Sequence, residues 1–90
     1  MTLNFTGKCV FDGSRDIVRF EAFDGERRVP CAVSNEALTD ATGEVAPHGE
    51  ALVQLYQSIS SRVHRVAEQK YKARKVESDG LVLVLSAELS

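Results

Sequence analysis

Two cysteines and two histidines are the side chains of this 90-residue sequence best suited to bind a metal or attack a substrate. They are Cys9, Cys31, His48 and His64. Protein zinc sites usually take their ligands from close pairs such as Cys-x-x-Cys or His-x-x-x-His, and no such pair is present. Each cysteine lies two positions from an apolar residue in its predicted strand and therefore on the same face as that residue. This placement is typical of thiols on the buried face of strands. We therefore expect two core thiols and neither a metal nor a cofactor.

The second arrangement with catalytic potential is His64 with Glu68 four residues later. A carboxylate can orient an imidazole that acts as a base. Residues four apart on a helix also form ordinary surface pairs, and we interpret His64 and Glu68 as such a pair. A nucleophilic thiol needs a neighbour that lowers its pKa, whereas Cys31 lies between Val29 and Val33. The sequence also has no phosphate-binding glycine loop and no nucleophile elbow. We predict no catalytic residues and expect that the protein is not an enzyme.

Basic residues are concentrated in one part of the chain. Residues 62–75 contain six basic residues and one acidic residue, although the net charge of the whole chain is −2. Such a segment can bind the phosphates of nucleic acid or an acidic partner. It can equally form a solvated face that complements the negative end of a helix dipole. The candidate contacts with a partner or with nucleic acid are Arg62, Arg65, Lys72 and Lys75.

Three strands are predicted in the first third of the chain. Apolar and polar residues alternate over residues 3–11, 18–22 and 27–34. The Asp24-Gly25 pair between the second and third runs predicts a hairpin. Because proline cannot donate to a ladder, Pro30 predicts that the third strand lies at a sheet edge.

A short helix is predicted to follow the third strand. Ser34 is a favoured N-cap for residues 35–42, and Gly43 is placed to end that helix. The next helix is expected to begin near Pro47 and Glu50.

One long amphipathic helix is predicted from about residue 49 to residue 72. Its apolar stripe consists of Leu52, Leu55, Tyr56, Ile59, Val63, Val66 and Ala67. Beyond the stripe, Lys70 and Arg74 take the positions where apolar residues should continue. Since a helix of this length is longer than the strands, we expect its basic end to overhang the sheet and lie in solvent.

The last predicted strand covers residues 81–89 and is apolar on both faces at first. Two strand orders remain open: 3-2-1-4 agrees with Pro30 at an edge, whereas the apolar run 81–85 favours a more interior last strand. The elements together predict a single α+β domain over residues 1–90. We expect a two-layer sandwich of βββααβ order, with a mainly antiparallel four-stranded sheet and the long helix across one face.

The composition, with 43% hydrophobic and 27% charged residues, is that of a globular protein. The first residues contain no basic stretch followed by an apolar one, and the longest apolar run is far shorter than a membrane span. We therefore expect a cytoplasmic protein with reduced thiols and no membrane association.

Residues 18–25, 29–38 and 67–71, together with the closing strand, resemble one family of small bacterial proteins. The most specific piece is Cys-Ala-Val-Ser-x-Glu-Ala-Leu, which ends at Leu38. The sequence is similar over nearly its whole length to domain-of-unknown-function family 1488. The resemblance implies a small α+β fold of bacterial origin. It brings no activity, substrate or catalytic residue.

Two functions of different classes are compatible with these features. The two apolar faces of the last strand exceed what one long and one short helix can cover. This surplus predicts a non-catalytic interaction or regulatory module that forms a homo-oligomer or binds an unknown protein partner. The alternative is a nucleic-acid-binding protein that uses the basic end of the long helix, with an affinity that falls steeply with salt. An enzyme would need a pocket with convergent titratable groups.

Overall fold

The computed structural model describes residues 3–44 and 49–89. The start expected at Pro47 lies outside these residues, whereas Glu50 begins a helix. The elements in chain order are β1 Asn4–Asp12, β2 Ile17–Asp24, β3 Arg27–Ser34, α1 Asn35–Thr42, α2 Glu50–Ser58, α3 Ser60–Lys72, β4 Val82–Val84 and α4 Ser86–Leu89.

The four strands form one sheet in the order β1-β2-β3-β4. The first three form an antiparallel meander joined by short turns, and β4 runs parallel to β3. The register of β1 against β2 shifts between Phe5 and Cys9, where Gly7 has a φ of 84° and produces a β-bulge. The predicted α+β class and the mainly antiparallel four-stranded sheet are confirmed.

The position of β3 corrects the expectation drawn from Pro30. β3 lies between β2 and β4, and the last strand occupies an edge. The short β4 pairs only with Cys31, Ala32 and Val33, so Pro30 lies beyond the end of its partner. Proline is tolerated there because β4 does not reach the position of the missing N–H group.

The chain after β4 is a second correction. The strand predicted to reach residue 89 contains only three residues, and Ser86–Leu89 form α4. The carboxylate of Glu88 accepts a hydrogen bond from the backbone N–H of Leu85 at 2.9 Å and thereby caps this turn. Apolar content alone could not identify the capped turn.

The short helix α1 follows the expected capping chemistry. Ser34 Oγ accepts a hydrogen bond from the backbone N–H of Ala37 at 3.0 Å. At the other end, Gly43 takes the left-handed conformation with a φ of 73° and donates its N–H to the Thr39 carbonyl. Both helix ends therefore coincide with the residues predicted to cap them.

The long amphipathic helix is present as two consecutive segments, α2 and α3, which meet at Ile59. Ser58 Oγ donates a hydrogen bond to the Leu55 carbonyl at 2.7 Å, a side-chain contact that often accompanies a helix bend. The predicted stripe packs inward. Its buried members are Leu52, Leu55, Tyr56, Val63 and Ala67, while Ile59 and Val66 are half-buried against the same core.

The core lies between one face of the sheet and the helices. The buried residues of all four helices belong to this main cluster, together with Val18, Phe20 and Val33 of the sheet. A second, smaller cluster of Ile17, Ala32 and Leu81 lies on the opposite face, because side chains alternate along each strand.

Candidate functional site

His64 lies in an aromatic environment beneath the helices. Its ring stacks on Phe5 with centroids 3.9 Å apart and an interplanar angle of 1°. Its Nε2 atom is 2.6 Å from the hydroxyl of Tyr56. Burial lowers the pKa of His64 and raises the pKa of Tyr56, so both groups are favoured in their neutral forms at neutral pH. A satisfied neutral pair of this kind stabilises the packing of helix on sheet.

The expected surface pair of His64 and Glu68 is wrong. Glu68 instead accepts a hydrogen bond from the backbone N–H of Leu3 at 2.9 Å and forms an ion pair with Lys72 at 3.4 Å. The Leu3 hydrogen bond and the Lys72 ion pair lower the pKa of Glu68. The carboxylate therefore joins the start of β1 to α3, and the imidazole is oriented by Tyr56.

The two thiols occupy different environments. Cys31 is buried, and burial raises the pKa of its thiol to about 12. Cys9 is half-buried against the core, and Gln57 Nε2 lies 3.7 Å from its sulfur. The expectation of core thiols is thus confirmed for Cys31 and holds only in part for Cys9.

These environments predict selective thiol labelling. A thiol reagent should modify Cys9 in the native protein, whereas Cys31 should react only after denaturation, because reaction needs access and a thiolate. Mass spectrometry of the labelled protein before and after addition of denaturant measures the order. Rapid labelling of Cys31 in the folded protein would contradict its buried position. The control is Cys9→Ser, in which Cys31 is the remaining thiol.

The four predicted basic contact residues do not converge on one point. Arg62 donates from Nη2 to the Leu89 carbonyl at 2.9 Å and so fastens α4 to α3. Arg65 and Lys75 are exposed, and Lys72 is half exposed beside Glu68. Of the four, Lys72 and Lys75 line grooves at the end of α3.

Lys70 departs from the expectation that the basic helix end lies in solvent. Its side chain is only 11% exposed, and its ammonium group donates to the Leu83 carbonyl and to Glu88 Oε1, the latter at 2.8 Å. This lysine continues the inward-facing stripe because its charge is paired at the end of the core. The overhanging, solvated segment therefore begins only after it.

A cationic groove of about 520 Å³ lies between the β2–β3 hairpin and the end of α3. It is lined by Asp24, Arg27, Tyr71, Lys72, Arg74 and Val76. The hydroxyl of Tyr71 donates to Asp24 Oδ2 at 2.7 Å, a hydrogen bond that raises the pKa of the tyrosine. Three cationic side chains and one carboxylate, which already has a partner, thus line this groove.

Within residues 3–44 and 49–89, no three His, Cys, Asp or Glu side chains lie close enough together to hold a metal ion. His48, one of the candidate ligands, is not among the described residues. In the same part of the chain, none of the helices combines the length and the apolar character that crossing a membrane requires.

The sheet face opposite the helices, here called the open face, combines apolar and charged side chains. Its apolar residues are Val10, Ile17, Phe23, Pro30, Ala32, Leu81 and Leu83. Its ion pairs join Arg19 to Asp12 at 2.9 Å and Arg28 to Glu21 at 2.7 Å. Val10 is 60% exposed and borders a cleft of about 220 Å³.

Both edges of the sheet are protected against further strand pairing. On β1, the bulge at Gly7 and the exposed Lys8 interrupt the free edge. On the other side, β4 has only three residues, and Lys70 binds the Leu83 carbonyl. Bulges, lysines and short strands are the usual means of preventing edge-to-edge association.

A protein family described as protein of unknown function, DUF1488, matches residues 3–84. The chain belongs to this family. A crystal structure of a DUF1488 protein of unknown function from Shewanella loihica PV-4 is similar to it with a TM-score of 0.88 at 17% sequence identity. The similarity covers 92% of this chain and 91% of the other. No curated protein matches the sequence.

In this DUF1488 chain, no local pattern of residues indicates that Arg27 lies beside the basic helix end. Arg27 opens β3 directly after the Asp24-Gly25 turn, whereas Lys72 and Arg74 lie far along the chain. The hairpin signal predicts that Arg27 lies at a sheet end, but only the packing of α3 across the sheet brings the two ends together. Because the family has no assigned activity, a function has to be inferred from this geometry.

Proposed function

We propose that the protein is a non-catalytic interaction module that self-associates through the open face. The observation that carries the proposal is Val10, which is 60% exposed on the sheet face opposite the helices, together with the half-buried Phe23, Pro30 and Leu83. Burial of such a surface between two chains removes apolar area from water, at roughly 25 cal/mol per Å².

A second copy of the chain is the partner best supported by charge. The open face carries three basic and two acidic side chains in close balance, namely Lys8, Arg19, Arg28, Asp12 and Glu21. Across a two-fold axis, the acidic side chains of one copy can face basic side chains of the other. Val10 projects beside the cleft, so each copy offers an apolar side chain and a recess. The same nearly balanced face provides little attraction for a strongly charged partner.

Val10→Lys should convert the oligomer to a monomer, because it replaces the most exposed apolar side chain of the contact with a charge that would lose its hydration on burial. Light scattering and sedimentation over a range of protein concentrations measure the mass, and circular dichroism checks the fold. Val76→Lys is the matched control, since Val76 is 40% exposed but lies outside the sheet. A monomeric native protein, or equal loss of association in both variants, would count against the open face.

A second function, nucleic-acid binding by the basic segment, is favoured by the concentration of charge at residues 62–75. Arg65 and Lys75 are exposed and form no ion pair with any residue described by the structure. Retention on immobilised single-stranded DNA or RNA that weakens with added salt is the expected behaviour. If neither DNA nor RNA retains the protein in a salt-sensitive manner, nucleic-acid binding is rejected and the self-associating module is the function that stands.

A further inference from the structure

We infer that the cationic groove is the place where a nucleic-acid strand lies, with its phosphates between the β2–β3 hairpin and the end of α3. This inference rests on the second proposed function and names the residues and the ligand chemistry of its site. It adds Arg27 and Arg74, which line the groove with Lys72.

The first support is that the cations come from two separate parts of the fold, the start of β3 and the end of α3. Arg27 begins β3, Lys72 ends α3, and Arg74 follows that helix. A solvated helix face would place its charges on one element and point them away from its neighbours. Neither arginine forms an ion pair with a carboxylate of the described chain, and Asp24 is already bound by Tyr71. Two guanidinium groups therefore remain available for phosphate oxygens, which their planar donors match well.

The second support is the backbone at the end of α3. Arg74 and Lys75 donate their N–H groups to the carbonyls of Tyr71 and Lys70, which is the hydrogen-bond pattern of a Schellman motif. The left-handed position of such a motif favours glycine, yet Arg74 occupies it with a φ of 59°. A side chain held in a disfavoured backbone conformation is often retained for a functional contact. We assign that function to the side chain of Arg74, which lines the groove.

The third support concerns the shape of the ligand. The positive charge continues from the groove around the helix end to Lys75, which lines an adjacent groove of about 270 Å³. A continuous band suits a chain of phosphates better than one isolated phosphate group. The ring of Tyr71 packs against the main core, so it is not free to stack on a base. We therefore expect recognition of the backbone with little preference for sequence.

The test uses the whole chain and a fluorescently labelled oligothymidylate, with binding followed by anisotropy at several salt concentrations. Arg27→Gln and Arg74→Gly should each raise Kd several-fold and reduce the salt slope by about one unit for each phosphate that the variant no longer binds. Arg74→Gly is informative because glycine suits the left-handed position, so its melting temperature should not fall. Arg15→Gln is the matched control, because Arg15 lies in the β1–β2 turn at the other end of the sheet and should leave Kd unchanged.

Each other outcome overturns a distinct part of the inference. If the native protein does not bind the oligonucleotide at low salt, both the second function and its site are wrong. If it binds but only Arg65→Gln and Lys75→Gln weaken binding, the function stands and the groove is wrong. If polyglutamate binds as tightly as the oligonucleotide and competes with it, the groove recognises an acidic protein segment, which contradicts a nucleic-acid ligand.

Discussion

Truncation of Leu52 to alanine is expected to lower the free energy of unfolding by about 2–5 kcal/mol. Leu52 is fully buried in α2 and is the first residue of the apolar stripe that packs against the sheet. The loss combines the transfer free energy of the removed methyl groups with the cost of the cavity that they leave. Chemical denaturation followed by circular dichroism measures the change.

The matched control for Leu52→Ala is Gln57→Ala on the same helix. Gln57 is exposed, so its replacement should change the free energy of unfolding by less than about 0.5 kcal/mol. Ile59→Ala should fall between the two, because Ile59 is half-buried where α2 meets α3. Equal effects of the Leu52 and Gln57 substitutions would show that the stripe does not face the sheet.

Replacement of Lys70 by methionine is expected to cost about 1.5–3 kcal/mol, the usual range for hydrogen bonds that involve a charged group. The lysine joins α3 both to the carbonyl of Leu83 in β4 and to Glu88 in α4. Because methionine keeps much of the side-chain volume, the decrease in the free energy of unfolding can be attributed to the lost polar contacts. Thermal and chemical denaturation of the two proteins measure it.

Lys72→Met is the comparison that isolates the role of burial. Both lysines lie in α3 and both form an ion pair, but Lys72 is 49% exposed and its pair spans 3.4 Å. Exposed pairs of this kind contribute about 0.2–1 kcal/mol, and solvent screens them. A destabilisation of Lys72→Met as large as that of Lys70→Met would contradict the distinction between a buried anchor and a solvated helix end.

The sequence predicted those elements that depend on residues close together in the chain. The Ser34 and Gly43 caps, the Asp24-Gly25 turn and the helical stripe each depend on residues close together in the chain, and each is present in the structure. Their physical causes are the capping of free N–H groups, the φ requirement of a turn and the burial of one helix face.

The remaining features depend on contacts between distant parts of the chain. Pro30 indicated an edge strand, but whether an edge is free depends on where β4 docks. His64 lies eight residues after Tyr56, and its stacking partner Phe5 comes from the first strand. The cationic groove likewise requires the hairpin and the helix end to meet. Residue spacing alone cannot specify such juxtapositions.

We expect Pro30 to matter during folding as well, because its strand pairs with β4, which comes late in the chain. The meander of β1, β2 and β3 uses only short connections, whereas β4 must return to β3 after three helices. Because long loops close at a greater entropic cost, we expect the meander to form first, leaving the side of β3 exposed for a time. An uncovered strand can pair with another unfolded chain and start aggregation. Pro30 lacks one hydrogen-bond donor, and Arg27 and Arg28 carry charge beside it, so this temporary edge is a poor template for that reaction.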